Sequence, residues 1–190
     1  MPALVVFNKT DIYREKENQL LAELKERYEA IGYRVFGISI KNKEGLDELM
    51  ACLRNKVTLI SGHSGVGKST FINVIHPQMN LKTRDVSGWS GKGQHTTTFA
   101  EMHDLPFEGK IIDTPGMREF GLVDVTRSEL SGYFPEMRSR LQDCQFNNCL
   151  HINEPGCAIK EAVINGEISE DRYVSYYNIL ESLPERNWDN

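Results

Sequence analysis

The sequence predicts an α/β domain with a mainly parallel sheet, followed by a small helical domain built around a metal. Three observations carry this. Short continuous apolar runs alternate with helically spaced apolar residues over residues 1–126. A glycine-rich loop ending in Gly67-Lys68-Ser69 follows one of those runs directly. Three of the four cysteines crowd into the stretch from Cys144 to Cys157, beyond the last strand-like run.

Ala3-Leu4-Val5-Val6-Phe7 reads as a buried parallel strand, apolar without interruption. Leu20, Leu21, Leu24, Tyr28 and Ile31 then follow helical spacing, and Gly32 stands where a helix C-cap belongs. Arg34 to Ile40 is the next strand, and Leu46, Leu49, Met50 and Leu53 form one apolar helix face that also takes in Cys52 as core. Val57 to Ser61 is a third strand running into the glycine-rich loop. Thr70 to Ile75 continues as helix until Pro77 stops it. Lys82 to Thr98 has no period and reads as a surface loop. Short strands are expected at Phe99–Met102 and at Lys110–Asp113, the latter ending on a carboxylate. After Thr126 the strand-like runs stop. Two helical segments flank the cysteines, the last near Ser169–Leu183 with Val174, Tyr177 and Leu180 or Leu183 on one face. The domains expected are 1–126 and 127–190.

Composition excludes several classes. With 39% hydrophobic and 26% charged residues, the chain can bury a core and is not a disordered one. No apolar run approaches the ~18 residues of a membrane span. Met1 to Asp11 has one early lysine and no cleavage site, so a secretory signal is not expected. A net charge of −5 argues against coating nucleic acid by bulk charge, though not against a local basic patch. Clustered cysteines suit a metal site in a reducing compartment better than a disulfide framework.

Gly62-His63-Ser64-Gly65-Val66-Gly67-Lys68-Ser69 fits the phosphate-loop pattern. Its glycines let successive N–H groups turn inward onto phosphate oxygens, and the following helix adds its positive end. Lys68 is placed to reach the β- and γ-phosphates and Ser69 Oγ to bind Mg²⁺. Asp113-Thr114-Pro115-Gly116 is a common turn by itself. Beside a phosphate loop, Asp113 can hold Mg²⁺ through water and the Gly116 N–H can touch the γ-phosphate. Asn8-Lys9-Thr10-Asp11 ends the first strand. An aspartate accepts from guanine N1–H and N2–H₂, whereas adenine would leave it unpaired. Lys9 can lie along the base, Asn8 can tie this loop to the phosphate loop, and main-chain N–H groups of Ser39-Ile40-Lys41 can back the base.

The base-reading motifs precede the phosphate loop, the reverse of the usual order in GTPases. The chain thus looks like a circularly permuted GTPase, and it resembles the ribosome small-subunit-dependent GTPases of the RsgA/YjeQ type. The resemblance rests on Asn8–Asp11, Gly62–Thr70, Gly91-Lys92-Gly93-Gln94-His95-Thr96-Thr97-Thr98, Asp113–Gly116, and Cys144-x4-Cys149-x-His151-x5-Cys157. It implies hydrolysis of GTP to GDP, Mg²⁺ with the nucleotide, Thr70 among the nucleotide-binding residues, and the small (30S) ribosomal subunit with its rRNA as partner late in assembly. It also implies a cytoplasmic monomer without membrane contact. The family carries an OB-fold barrel and a first GTPase strand and helix ahead of Asn-Lys-x-Asp. This sequence opens almost on that motif, so its parallel sheet is expected to lack one strand.

Lys82–Thr98 lies where the switch belongs, and one of Thr96 and Thr97, Thr97 first, is expected to complete the Mg²⁺ shell. Met117 occupies the place where many GTPases carry a water-orienting Gln, and it has no useful donor or acceptor. His95, in the loop facing the γ-phosphate, is the local alternative, and the resemblance points to the same residue. Cys144, Cys149, His151 and Cys157 suit a closed tetrahedral Zn²⁺ site, with Glu154-Pro155-Gly156 as the turn inside it. Trp89 reads as surface packing, and Arg138 and Arg140 as a solvated helix face. Two other readings stay open: a zinc-containing RNA-binding module with a structural nucleotide site, and an ATPase.

Overall fold

Leu4–Asn8 (β1) and Arg34–Ile38 (β2) pair in parallel, with Asn8 opposite Ile38, and Glu15–Ala30 (α1) connects them. The computed structural model describes residues 2–81, 101–113 and 125–184. Gly32, at φ +92°, ends α1, and the Tyr33 N–H closes on Tyr28 O at 3.0 Å, a glycine-terminated helix end as its spacing predicts. The α1 face expected to be apolar is only half-buried, and Leu20 is exposed. The strand expected through Ile40 stops at Ile38, because Ser39 and Glu44 exchange backbone bonds at 3.1 and 3.0 Å and turn the chain.

Leu46–Leu53 (α2) precedes Val57–Ile60 (β3), which leads through the glycine-rich loop into Lys68–Ile75 (α3). Glu101–Asp104 (β4) overlaps the strand expected at Phe99–Met102, of which Phe99 lies outside the described residues. Lys110–Asp113 (β5) falls where expected. The described strands form two sheets: β1–β2, and β3–β5–β4, in which β3/β5 is parallel and β4/β5 antiparallel. One core of Ile38, Ile40, Leu49, Phe71, Ile72 and Ile111 underlies this part. Cys52 packs at its margin, half-buried. The expected loop Lys82–Thr98 lies outside the described residues.

The chain divides into two compact units, Met1–Glu29 with Tyr33–Phe120, and Ala30–Gly32 with Gly121–Asn190. The second contains Pro135–Arg138 (α4), Ala158–Ile164 (α5) and Glu170–Ser182 (α6) around a core of Met137, Ile159, Ile168, Tyr176 and Leu180. Its α6 turns a different face inward from the one its apolar spacing predicts. Val174 and Tyr177 are exposed, whereas Tyr176, Leu180 and Leu183 are buried. A tyrosine can be buried where a carbonyl meets its hydroxyl, and Tyr173 Oη donates to His151 O at 2.5 Å and Tyr176 Oη to Leu150 O at 2.9 Å. Arg127 Nη1 donates to Leu180 O at 2.9 Å, at the end of α6. Arg172 stacks over Phe134 and pairs with Glu136 at 2.6 Å. Among the described residues, no helix is long and apolar enough to cross a membrane.

Replacing Tyr176 by Phe strands the half-buried Leu150 carbonyl. A loss of about 1–3 kcal/mol is expected in thermal or denaturant unfolding of the C-terminal unit.

Candidate functional site

The parallel registers align the loops that follow the strands. In β3/β5, Ile60 lies opposite Asp113, so the glycine-rich loop and the Asp113 backbone leave the sheet side by side. In β1/β2, Asn8 lies opposite Ile38, so Asn8–Asp11 and Ser39–Lys41 leave together. Asn8 Nδ2 donates to Val66 O at 2.8 Å, and Lys9 Nζ donates to Gly65 O at 2.9 Å. Two loops more than fifty residues apart in sequence thereby meet. Tyr13 Oη supports the turn from its other side, donating to Asn8 O at 3.1 Å.

Gly67, at φ +104°, allows this approach. A Cβ there would lie 2.4 Å from Asn8 Nδ2. Lys68, the first residue of α3, curls back so that Nζ donates to Gly62 O at 2.5 Å and His63 O at 2.9 Å. The loop therefore wraps the ammonium that anionic oxygens would otherwise engage. Ser69 is half-buried on the first turn of α3, and Ser64 and Thr70 are exposed.

Asp11 is fixed by Ser39. The buried Ser39 hydroxyl donates to Asp11 Oδ1 at 2.8 Å and accepts from the Asn42 N–H at 3.0 Å, while Lys41 Nζ stands 4.0 Å from Asp11 Oδ2. Asn8 Oδ1 accepts from the Lys9 N–H at 2.7 Å and the Ile40 N–H at 3.4 Å. The expected role of Ser39-Ile40-Lys41 thus changes in detail: a side-chain hydroxyl orients the aspartate, and the Ile40 N–H serves Asn8. This clamp was not legible beforehand, because Ser39 and Asp11 are far apart in sequence. The expected residues His95, Thr97 and Gly116 lie outside the described residues.

In the second unit, the Sγ atoms of Cys144, Cys149 and Cys157 and a ring nitrogen of His151 all lie within 4.8 Å of one another, and all four residues are buried. His151 Nδ1 stands 3.7 Å from Cys144 Sγ and 3.4 Å from Cys157 Sγ. A tetrahedral metal with ~2.3 Å sulfur and ~2.0–2.1 Å nitrogen bonds has an N···S edge of about 3.6 Å. The residues fit such a centre, with Nδ1 as the nitrogen ligand. Burial keeps the His151 imidazole neutral by lowering its pKa, against the raising effect of the Glu154 charge. Burial pushes the Cys149 thiol up to about 12, with Cys157 and Cys144 adding to the effect against a bond from His151.

Glu154, expected only as a turn residue, organises this loop. Its carboxylate accepts from the backbone N–H groups of Leu150 and Ile152 at 2.8 Å each and Asn153 at 3.0 Å. Burial works against the charge, but these donors outweigh it and hold the pKa below the usual carboxylate range. The same wrap accommodates His151 at φ +59°. Arg138 and Arg140 are engaged within the unit, Arg138 Nε with Gly132 O at 2.6 Å and Arg140 with Glu167.

In Gly67→Ala, the new methyl would displace Asn8 and strain the loop. Affinity for a fluorescent guanine nucleotide, followed by equilibrium titration, is expected to fall at least about tenfold, a 1.4 kcal/mol effect.

Comparison with known proteins places this architecture. The family model described as RsgA GTPase matches residues 1–123. The small ribosomal subunit biogenesis GTPase RsgA of Christiangramia forsetii is 50% identical over 179 residues, covering 94% of this chain and 57% of the relative. That of Cytophaga hutchinsonii is 52% identical over 180 residues, covering 95% and 59%. The chain therefore spans less than two thirds of these relatives. Among solved structures, YjeQ from Thermotoga maritima superposes with a TM-score of 0.81 at 36% identity, covering 98% of this chain and 61% of that one. YloQ, described as a circularly permuted GTPase, gives 0.76 at 29% identity, covering 97% and 57%. With its Asn8–Asp11 turn ahead of the glycine-rich loop in sequence and bonded to it in space, the chain belongs to the RsgA GTPase family.

Proposed function

We propose that residues 1–126 form a Mg²⁺-dependent GTPase domain and residues 127–190 a zinc-stabilised one, within a cytoplasmic, monomeric protein that acts late in assembly of the small (30S) ribosomal subunit. The observation that supports the reading is the pair of bonds from Asn8 and Lys9 to carbonyls of Val66 and Gly65, which tie the turn carrying Asp11 to the glycine-rich loop that leads into Lys68. The names of the relatives, small ribosomal subunit biogenesis GTPases, support a ribosomal partner, and its rRNA is the binding surface we propose.

Each residue then has a task. Asp11, oriented by Ser39, accepts the guanine N1–H and N2–H₂, and Lys9 flanks the base. The backbone of Gly62–Ser69 with the start of α3, including Thr70, holds the phosphates, and Lys68 exchanges its carbonyl partners for β- and γ-phosphate oxygens. Ser69 and Thr97, with Asp113 through water, would hold Mg²⁺, which would neutralise phosphate charge. The Gly116 N–H meets the γ-phosphate and His95 orients the attacking water. Without a Gln after Gly116, intrinsic turnover is slow and the ribosomal subunit stimulates it.

The test is inorganic phosphate release with and without added small subunits. Stimulated release is expected from this chain joined to the remainder its relatives carry, and His95→Ala is expected to keep GTP affinity while losing stimulated turnover by about 10²-fold or more. An unchanged stimulated kcat would remove His95 from the mechanism, and no release under any condition would favour a binding module.

Cys144, Cys149, His151 and Cys157 would fill all four positions of a Zn²⁺ ion, leaving none for a catalytic water. With its pKa near 12, the Cys149 thiol is protonated at neutral pH, so metal uptake must expel its proton. Zinc titration in weak buffer with a pH indicator is expected to register proton release, and apparent affinity is expected to strengthen as pH rises from about 6 to 8. Removing the metal is expected to unfold α5 and α6, which circular dichroism would follow.

A further inference from the structure

Two side chains of α6 that apolar spacing marks for a core face solvent instead. Val174 is 47% and Tyr177 38% exposed, while Tyr176, Leu180 and Leu183 turn inward. A valine on a solvated helix face gains nothing from burial and lowers helix propensity. Glu170 and Glu181 stand on the same stripe. The four positions are spaced by four, three and four residues, the seam spacing of a helix that packs against another, over about 16 Å of α6. Glu170 is exposed at one end. At the other, Glu181 gives one carboxylate oxygen to Arg127 at 3.3 Å and keeps 52% of its side chain exposed. The stripe is thus an apolar pair between two carboxylates.

The surrounding unit is acidic. Residues 125–184 hold nine Asp or Glu against five Lys or Arg. All four arginines of this stretch are engaged inside the unit: Arg127 on Leu180 O and Glu181, Arg138 on Gly132 O, Arg140 on Glu167, and Arg172 on Glu136. A nucleic-acid backbone binds by recruiting such cations, and here they are already paired. A cationic polypeptide finds the complementary charge.

We propose that this face of α6 docks one basic amphipathic helix of a partner protein. Its apolar residues lie on Val174 and Tyr177, and a Lys or Arg at each end stands opposite Glu170 and Glu181. The spacing reads alike in both directions, so the partner helix can lie either way along α6. The contact is small and serves as one among several with a large partner. Contact with rRNA then falls to other surfaces of the protein.

Fluorescence anisotropy on the 190-residue chain, with Zn²⁺ in the buffer and no nucleotide, tests this independently of GTP turnover. The probe is a labelled alanine-based helical peptide of about 18 residues with Lys, Leu, Leu and Lys at the same four-three-four spacing. Its dissociation constant is expected to lie below about 100 μM. An isomer with the two Leu moved off the seam is expected to bind at least about tenfold more weakly. The double variant Val174→Ala/Tyr177→Ala is expected to cost the matched peptide at least about tenfold with circular dichroism unchanged, because both side chains lie outside the core. Glu170→Lys is expected to weaken the Lys peptide about threefold and to strengthen a peptide with Glu in place of Lys by a similar factor. A dissociation constant above about 100 μM, equal binding of the isomer, or affinity untouched by these variants overturns the proposal. Binding of a labelled RNA hairpin that the double variant abolishes would assign the face to nucleic acid. A dimer in sedimentation that the double variant abolishes would make a second copy the occupant; either result also overturns it.

Discussion

Asn8 and Lys9 hold the glycine-rich loop by its carbonyl oxygens, and the proposed nucleotide site depends on that contact. Each bond is worth little in isolation, about 0.5–1.5 kcal/mol net. Their effect is geometric: they join the end of β1 to the loop between β3 and α3, the arrangement by which, in the function proposed, a carboxylate suited to a base and an ammonium suited to phosphates serve one ligand. Contacts of this kind are indifferent to the order in which the strands occur along the chain. A circularly permuted sequence can therefore keep the site, provided that each loop still leaves the same end of its strand. The parallel registers of β1/β2 and β3/β5 meet that condition.

Within this frame the finer contacts divide the work. Ser39 spends its one hydroxyl proton on Asp11 and leaves its lone pairs to the Asn42 N–H, so the carboxylate is aimed before any ligand arrives. Gly67 keeps the space that Asn8 needs. The C-terminal unit follows the same logic around a different centre. Its four candidate metal ligands are buried beside the core of Tyr176 and Leu180. The hydroxyls of Tyr173 and Tyr176 bind the carbonyls of His151 and Leu150, so α6 is docked onto the loop that carries the ligands. Glu154 gathers the loop's N–H groups, so a metal held there would couple its binding to the folding of this small unit.

Contiguous motifs were readable in the sequence because their chemistry is local. The phosphate loop, the Asn8–Asp11 turn and the cysteine-histidine spacing each need fixed residue types at fixed offsets, and α2, α3, β3 and β5 carry the expected periodicity. What escaped was non-local or amphipathic. The bond from Ser39 to Asp11 joins two strand ends, and no spacing rule announces it. Glu154 looked like part of a turn because its partners are backbone groups. The buried face of α6 was misassigned because Val174 outranks Tyr176 in apolarity, yet tyrosine is readily buried once a carbonyl accepts its proton. The split into two sheets depends on which strands pair, a property of the whole fold.

The most direct measurement is the nucleotide preference of Asp11→Asn. If Asp11 reads the base at the site served by Lys68, replacing its carboxylate by an amide exchanges an acceptor for a donor and suits the C2 carbonyl of xanthine. The account predicts that guanosine diphosphate binding weakens at least about tenfold while xanthosine diphosphate binding strengthens by a similar factor. Unchanged guanine affinity with no gain for xanthine would contradict it.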